Sequence, residues 1–286
     1  GEWDKEYYTS GALGPLAQYV SDHMGNKRAR DGVDSDGDGE VDECDDNDGV
    51  ETWWGLCHAW VPAAIIEDRP LRSVTYNGVT FHTADMEALI IAAYNRAGAD
   101  MIGGRCNDGS DEDSEVERDE HGRAIDVECR DTNPGSLHVI LTNFLGIQQR
   151  SFAEDRTYDY EVWNQPVVAY DITRQDEIDV QRANQLLGLT GNTYQYNPDA
   201  AQLYDMNVTV TYITESYAST TPADPSRYER NDYYSYILEV DANGDVIGGE
   251  WYGNSRRVHP DFLWSPRRLT RSSVPHLDID NARMLI

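Results

Sequence analysis

Residues 53–60, WWGLCHAW, with their continuation VPAAIIE at 61–67, decide how the rest of the chain is read. The run from Gly55 to Glu67 has the length and apolar density of a helix, bent or interrupted at Pro62, because proline lacks a backbone donor and clashes with the carbonyl four residues earlier. Cys57 therefore stands at a helix entrance, where the macrodipole favours a thiolate and first-turn N–H groups can hold an oxyanion. The same placement also suits a buried structural cysteine, so the reading turns on whether a base and an orienting group exist elsewhere.

Working outward, Leu13, Leu16, Tyr19, Val20 and Met24 recur at helical spacing upstream. Downstream, Ser73 to Phe81 alternates around Asn77-Gly78, the strongest short hairpin signal, and Thr83 caps an apolar helix expected to end at Gly98. From Leu137 the texture becomes strand-like: LHVILTNF, QQRSFAED, EVWNQPVVAY and NVTVTYIT, then YYSYILEV and DVIGGEWY joined through Asp241 to Gly244. Helices followed by antiparallel strands give an α+β class. A helix-borne cysteine with its His and Asp partners on an antiparallel sheet is the arrangement of papain-like cysteine peptidases. With no clean linker and no repeat, residues 1–286 read as one domain with an acidic loop inserted at 31–49.

Of the seven histidines, His138 fits a base best, since it opens the apolar stretch LHVILTNF about 80 residues after the cysteine, in Cys-then-His order. His259 in VHPDFLW is the alternative, and His58 points around the helix. The third member should hold the imidazole tautomer from the next strand. Asp155, which a hairpin would bring beside His138, is the first choice, with Asn164 and Asp159 as alternatives.

A formal charge of -29 excludes nucleic acid and anionic membrane surfaces as partners and favours cations. No apolar run approaches the roughly 18 residues that span a bilayer. The acidity is concentrated in two windows, 31–51 and 108–131. In the first, Asp34, Asp36 and Asp38 take positions 1, 3 and 5 of an EF-hand-type loop, Gly39 position 6, Glu40 position 7, Asp42 position 9 and Asp45 position 12. Alternate carboxylates around a glycine turn supply the oxygen cage that Ca2+ requires. Without flanking apolar helices the loop reads as a structural calcium repeat, as in thrombospondin-type modules, and a second ion in the other window stays open. Cys106 and Cys129 bracket that second window, and a disulfide closing about 24 residues would contribute roughly 3 kcal/mol on the chain-entropy model. Such a bond, and calcium use, imply a secreted protein. Cys44 is left unpaired or reversibly bonded to Cys57. The chain opens at Gly1, as a trimmed chain or the mature product of a precursor would, and Lys5 and Lys27 are its only lysines.

Several segments resemble the transglutaminase elicitor family of oomycetes and marine bacteria: YYTSGALGPLAQYVSDHM, WWGLCHAWVPAAI, GGRC through CRDTNPGSLHVILTN, YEVWNQPVVAY and GGEWYGNSRRVHPDFLW. Together they cover most of the chain. VWNQPV resembles the start of the surface peptide that plants perceive in oomycete members. The resemblance implies a calcium-dependent protein-glutamine γ-glutamyltransferase, distantly related in fold to papain-like peptidases. Protein or peptide substrates would supply Gln and Lys, with small primary amines as alternative acceptors. Cys57 carries over from GLCHAW and His138 from NPGSLH, whereas Asp155 lies in a less distinctive segment. A cysteine peptidase or amidase, and a calcium-stabilised recognition protein, are the alternatives.

Overall fold

The computed structural model describes residues 55–103, 117, 119, 123–126, 130–157, 162–217, 219–272 and 277–286. The calcium-type loop, Cys44, Cys106, Cys129 and Asp159 lie outside the described residues. The chain divides into two compact units. One comprises the chain up to Ala97 with Ser216–Ala223 and Arg268–Ile286, and the other Gly98–Glu215 with Asp224–Arg267.

In the first unit, helix α1 (Cys57–Ile66) runs through Pro62 without breaking. Its alanines Ala59 and Ala63, one turn apart, present a small-residue face on which Leu89, Ile90 and Ala93 of helix α2 (Thr83–Ala93) pack, together with Ile279 and Ala282 of the C-terminal helix Ile279–Arg283. Strands β1 (Val74–Tyr76) and β2 (Val79–Phe81) form the expected hairpin, with Asn77 and Gly78 at φ 51° and 81°, both left-handed as a two-residue primed turn demands. His82, rather than Thr83, is the N-cap of α2, its amide donating to Asp85 Oδ2 at 2.8 Å. The helix also stops before Gly98. Tyr94, fully buried, turns its hydroxyl to Glu67, and Ala97 N–H folds back on Tyr94 O at 2.9 Å. Arg283 grips both oxygens of Glu67, and its Nη2 also donates to Leu269 O at 2.8 Å, tying the end of α1 to the C-terminal helix. Burial pushes the Glu67 carboxyl up, but Arg283 and Tyr94 outweigh it and hold the group below its ordinary value.

The second unit is a seven-stranded, wholly antiparallel sheet in the order β3-β9-β4-β5-β6-β7-β8: β3 (Ala99–Ile102), β4 (Phe152–Asp155), β5 (Asn164–Ile178), β6 (Gln202–Ile213), β7 (Glu229–Val240), β8 (Val246–Trp251) and β9 (Leu263–Pro266). One face buries Met206, Val208, Tyr234, Tyr236 and Leu238 under Leu137 and Leu141. The other carries Leu203 and Ile237 beneath Ala183 and Leu187 of helix α4 (Val180–Leu187).

The stretch 137–144 is where the strand expectation fails. Residues Pro134–Ile140 form helix α3, which continues as π-helix through Leu141–Ile147. Asn133 is its N-cap, accepting from Gly135 N–H at 2.8 Å, and Pro134 takes the first helical position. Leu137, Ile140, Leu141 and Phe144 fall at i, i+3, i+4 and i+7, one apolar stripe for the sheet. His138 is thus on a helix, and only Asp155 of the two expected partners lies on the antiparallel sheet.

Candidate active site

Cys57, half-buried, is the first residue of α1. The N-cap is Leu56, which has no side chain able to cap; its carbonyl accepts from Ala59 N–H at 2.8 Å and Trp60 N–H at 2.9 Å, and no acidic residue lies in the first turn. No carboxylate or hydroxyl of the helix therefore competes for the positive end of the dipole beside the thiol. His58 is turned away, its Nε2 against Asn95 Oδ1 at 2.9 Å.

In the second unit the position of His138 is set by backbone contact between the NPGS and GGEW segments. A Cβ built on Gly135 would stand 2.5 Å from Gly248 O, and one on Gly249 3.1 Å from Pro134 Cγ and 3.2 Å from Gly135 N, so glycines at these positions let the start of α3 lie close on β8. Asn133 Nδ2 donates to Gly249 O at 3.1 Å, and Trp251 Nε1 to Thr132 O at 3.0 Å. One turn in, His138 Nδ1 meets the hydroxyl of fully buried Tyr236 at 2.9 Å. Burial holds the imidazole below its ordinary pKa, keeping it neutral. Among the described residues no hydrogen-bond partner stands at His138 Nε2.

His259 sits on the other side of the same aromatic column. Its ring stacks on Trp251 at 5.2 Å and 22°, and Trp251 meets Tyr236 edge-on at 5.5 Å. Nδ1 faces Ser255 O at 2.7 Å and Nε2 faces Asp131 Oδ2 at 2.8 Å, so both nitrogens are engaged by oxygen acceptors.

Asp155 does not join His138. Strand alternation puts Phe152 and Glu154 on the face covered by α3 and turns Asp155 to the opposite face, where its Oδ1 accepts from Trp163 N–H at 2.8 Å. Asn164, its cross-strand neighbour, accepts from Trp264 Nε1 at 2.7 Å. The residue found at His138 Nδ1 is Tyr236, which sequence reasoning missed. Its inward orientation was readable from the period-2 run Tyr234, Tyr236, Leu238, Val240, but the pairing with residue 138 was not.

Glu154 is fully buried with neither carboxyl oxygen hydrogen-bonded, and burial, reinforced by Asp232 and opposed by Arg156, pushes it up to about 8. Of the second acidic window, described residues Asp119 and Arg123 form an ion pair at 3.2 Å, and Arg123 also reaches Glu250 at 3.2 Å. Among the described residues no cluster of three or more His, Cys, Asp or Glu could hold a metal, and no helix is long and apolar enough to cross a membrane.

The chain's fold is similar to the crystal structure of the GP42 transglutaminase from Phytophthora sojae, with a TM-score of 0.70 and 29% identity over 99% of this chain and 80% of that one. No protein of curated function matches it. The profile of the family described as transglutaminase elicitor matches residues 25–281, which include Cys57, the NPGSLH segment and the calcium-type loop, and the chain belongs to that family.

Proposed function

We propose that the chain is a secreted, calcium-dependent protein-glutamine γ-glutamyltransferase with Cys57 as nucleophile. The observation that carries this reading is Cys57 at the first position of a helix with no capping side chain and no acidic residue in its first turn, in a member of a transglutaminase family. The general base, proposed as His138, takes the thiol proton; the thiolate attacks the Cδ of a substrate glutamine, the C–N bond breaks, and ammonia leaves carrying that proton. A primary amine, from lysine or a small molecule, then attacks the thioester and restores the thiol.

His138 suits the base role because it is neutral and its Nε2 is open among the described residues, while Tyr236 fixes the ring through Nδ1. Asp155 supports the Trp163 backbone instead of the imidazole. A relation to papain-like peptidases accompanies the reading through the helix-borne cysteine and the antiparallel sheet, with a helical His as the departure. Asp34, Asp36, Asp38 and Asp45, through their carboxylates, and Glu40, through its backbone carbonyl, would hold Ca2+, whose all-oxygen preference they match. Bound there, the ion would play a structural part and would supply no catalytic group.

Incorporation of a fluorescent primary amine into casein, with and without EDTA, tests chemistry and metal dependence together. Calcium-dependent incorporation that is lost in Cys57→Ala is expected. Casein hydrolysis without incorporation would assign a peptidase instead.

A further inference from the structure

Resting on the acyl-transfer reading above, we infer that the protein is its own acyl donor: Gln148 and Gln149 of one copy are presented for modification by a second. They follow the π-helix Leu141–Ile147, and Gln149 holds φ 51°, one of only two non-glycine positive φ values among the described residues. The loop is anchored at both ends, by Gln148 N–H to Asn143 O at 2.9 Å and Arg150 N–H to Phe144 O at 2.8 Å, with the Arg150 guanidinium over the Phe144 ring at 5.3 Å. Between these anchors both glutamines are exposed, beside Ile147 at 76% exposure. Neither carboxamide makes a hydrogen bond among the described residues.

The remaining described glutamines are less available. Gln165 is buried, and Gln175 and Gln202, though exposed, stand on backbones paired within β5 and β6 rather than on a loop. Gln181 bonds Asn192 at 2.9 Å and Gln185 bonds Arg182 at 2.7 Å. Gln195 is exposed but lies between Tyr194, bonded to Glu239 at 2.6 Å, and Tyr196, whose ring lies under Arg123. A cysteine acyltransferase must draw an amide carbon onto its thiolate, which requires a carboxamide free of competing bonds on a protruding segment. At this site the Cys57 thiolate of one copy bonds to Cδ of Gln148 or Gln149 on another, releasing ammonia. A primary amine then takes the acyl group and frees the thiol. With Lys5 and Lys27 as the only lysines, small amines and water are the ready acceptors, and water leaves Glu at that position.

The test uses Cys57→Ala protein as substrate for catalytic amounts of wild type with Ca2+ and a fluorescent primary amine, followed by peptide mapping, with casein labelled in parallel. Label is expected at Gln148 or Gln149. The substrate variant Gln148→Asn with Gln149→Asn should cut it at least ten-fold, since asparagine tolerates the left-handed backbone but leaves the amide carbon one bond short, and an ångström of misplacement costs on the order of 100-fold. Introduced into the enzyme, the same pair should leave casein labelling unchanged. Label confined to other glutamines, or absent while casein is labelled, overturns the self-donor inference alone. Failure to label casein overturns the acyl-transfer reading and this inference with it.

Discussion

His138 and His259 share one aromatic column of Tyr236 and Trp251, but the column takes the first ring through a single hydrogen bond at Nδ1 and the second by stacking. His259 then spends both nitrogens on Ser255 O and Asp131, whereas His138 keeps Nε2 open among the described residues. A general base needs a neutral ring with a lone pair to offer. The comparison teaches that a carboxylate beside a histidine is not by itself a catalytic signature. In the His–Asp pair of this unit both ring nitrogens are engaged, and in the His–Tyr pair one is, among the described residues.

Substitutions can break that contrast, beginning with the largest effect. His138→Gln should lower kcat/KM for amine incorporation by about 10³-fold, in the usual range for losing a general base, with circular dichroism unchanged. His259→Gln should cost about 3 kcal/mol of stability, the low end for splitting a buried pair because Asp131 is partly exposed, and the measurement is the urea midpoint. Turnover per folded molecule should hold. Gly135→Ala should cost about 2 kcal/mol, because the added methyl meets the Gly248 backbone, which cannot swing away like a side chain. It should also depress kcat through the displaced α3. Tyr236→Phe should lower kcat by up to about ten-fold at unchanged KM, the value of one net hydrogen bond. It should also move the acidic limb of the pH–rate profile, which a purely structural loss would leave in place.

The pH behaviour sharpens the contrast further. Burial lowers the folded pKa of His138, so its neutral, active form should persist below the ordinary histidine range, placing the acidic limb of kcat/KM under 6.5. Glu154 acts on the other side. Its folded value, about 8, lies above its unfolded one, so the stability of the neutral buried acid is complete below about 4.5 and is lost as pH rises through about 8. Thermal melts of Glu154→Gln against wild type should diverge with rising pH, the variant becoming relatively more stable.

Much of this was legible in the sequence. Asn77-Gly78 announced its hairpin, five of the six strands from Phe152 onward stood near their expected places while Leu263–Pro266 was not foreseen, and Cys57 does open a helix. His138 was misplaced because the β-branched run Val139, Ile140 and Thr142 suggested a strand, although Asn133-Pro134 is a helix start and the apolar residues keep period 3.6. Asp155 was placed beside His138 by a hairpin that does not form. Contacts such as His259 to Asp131, 128 residues apart, carry no local signal at all.

The most direct test is amine incorporation by His138→Gln and His259→Gln, measured side by side at equal folded fraction. His138→Gln should show only background activity, and His259→Gln near wild-type activity. Full activity in His138→Gln, with a folded but silent His259→Gln, would contradict the assignment of His138 as base.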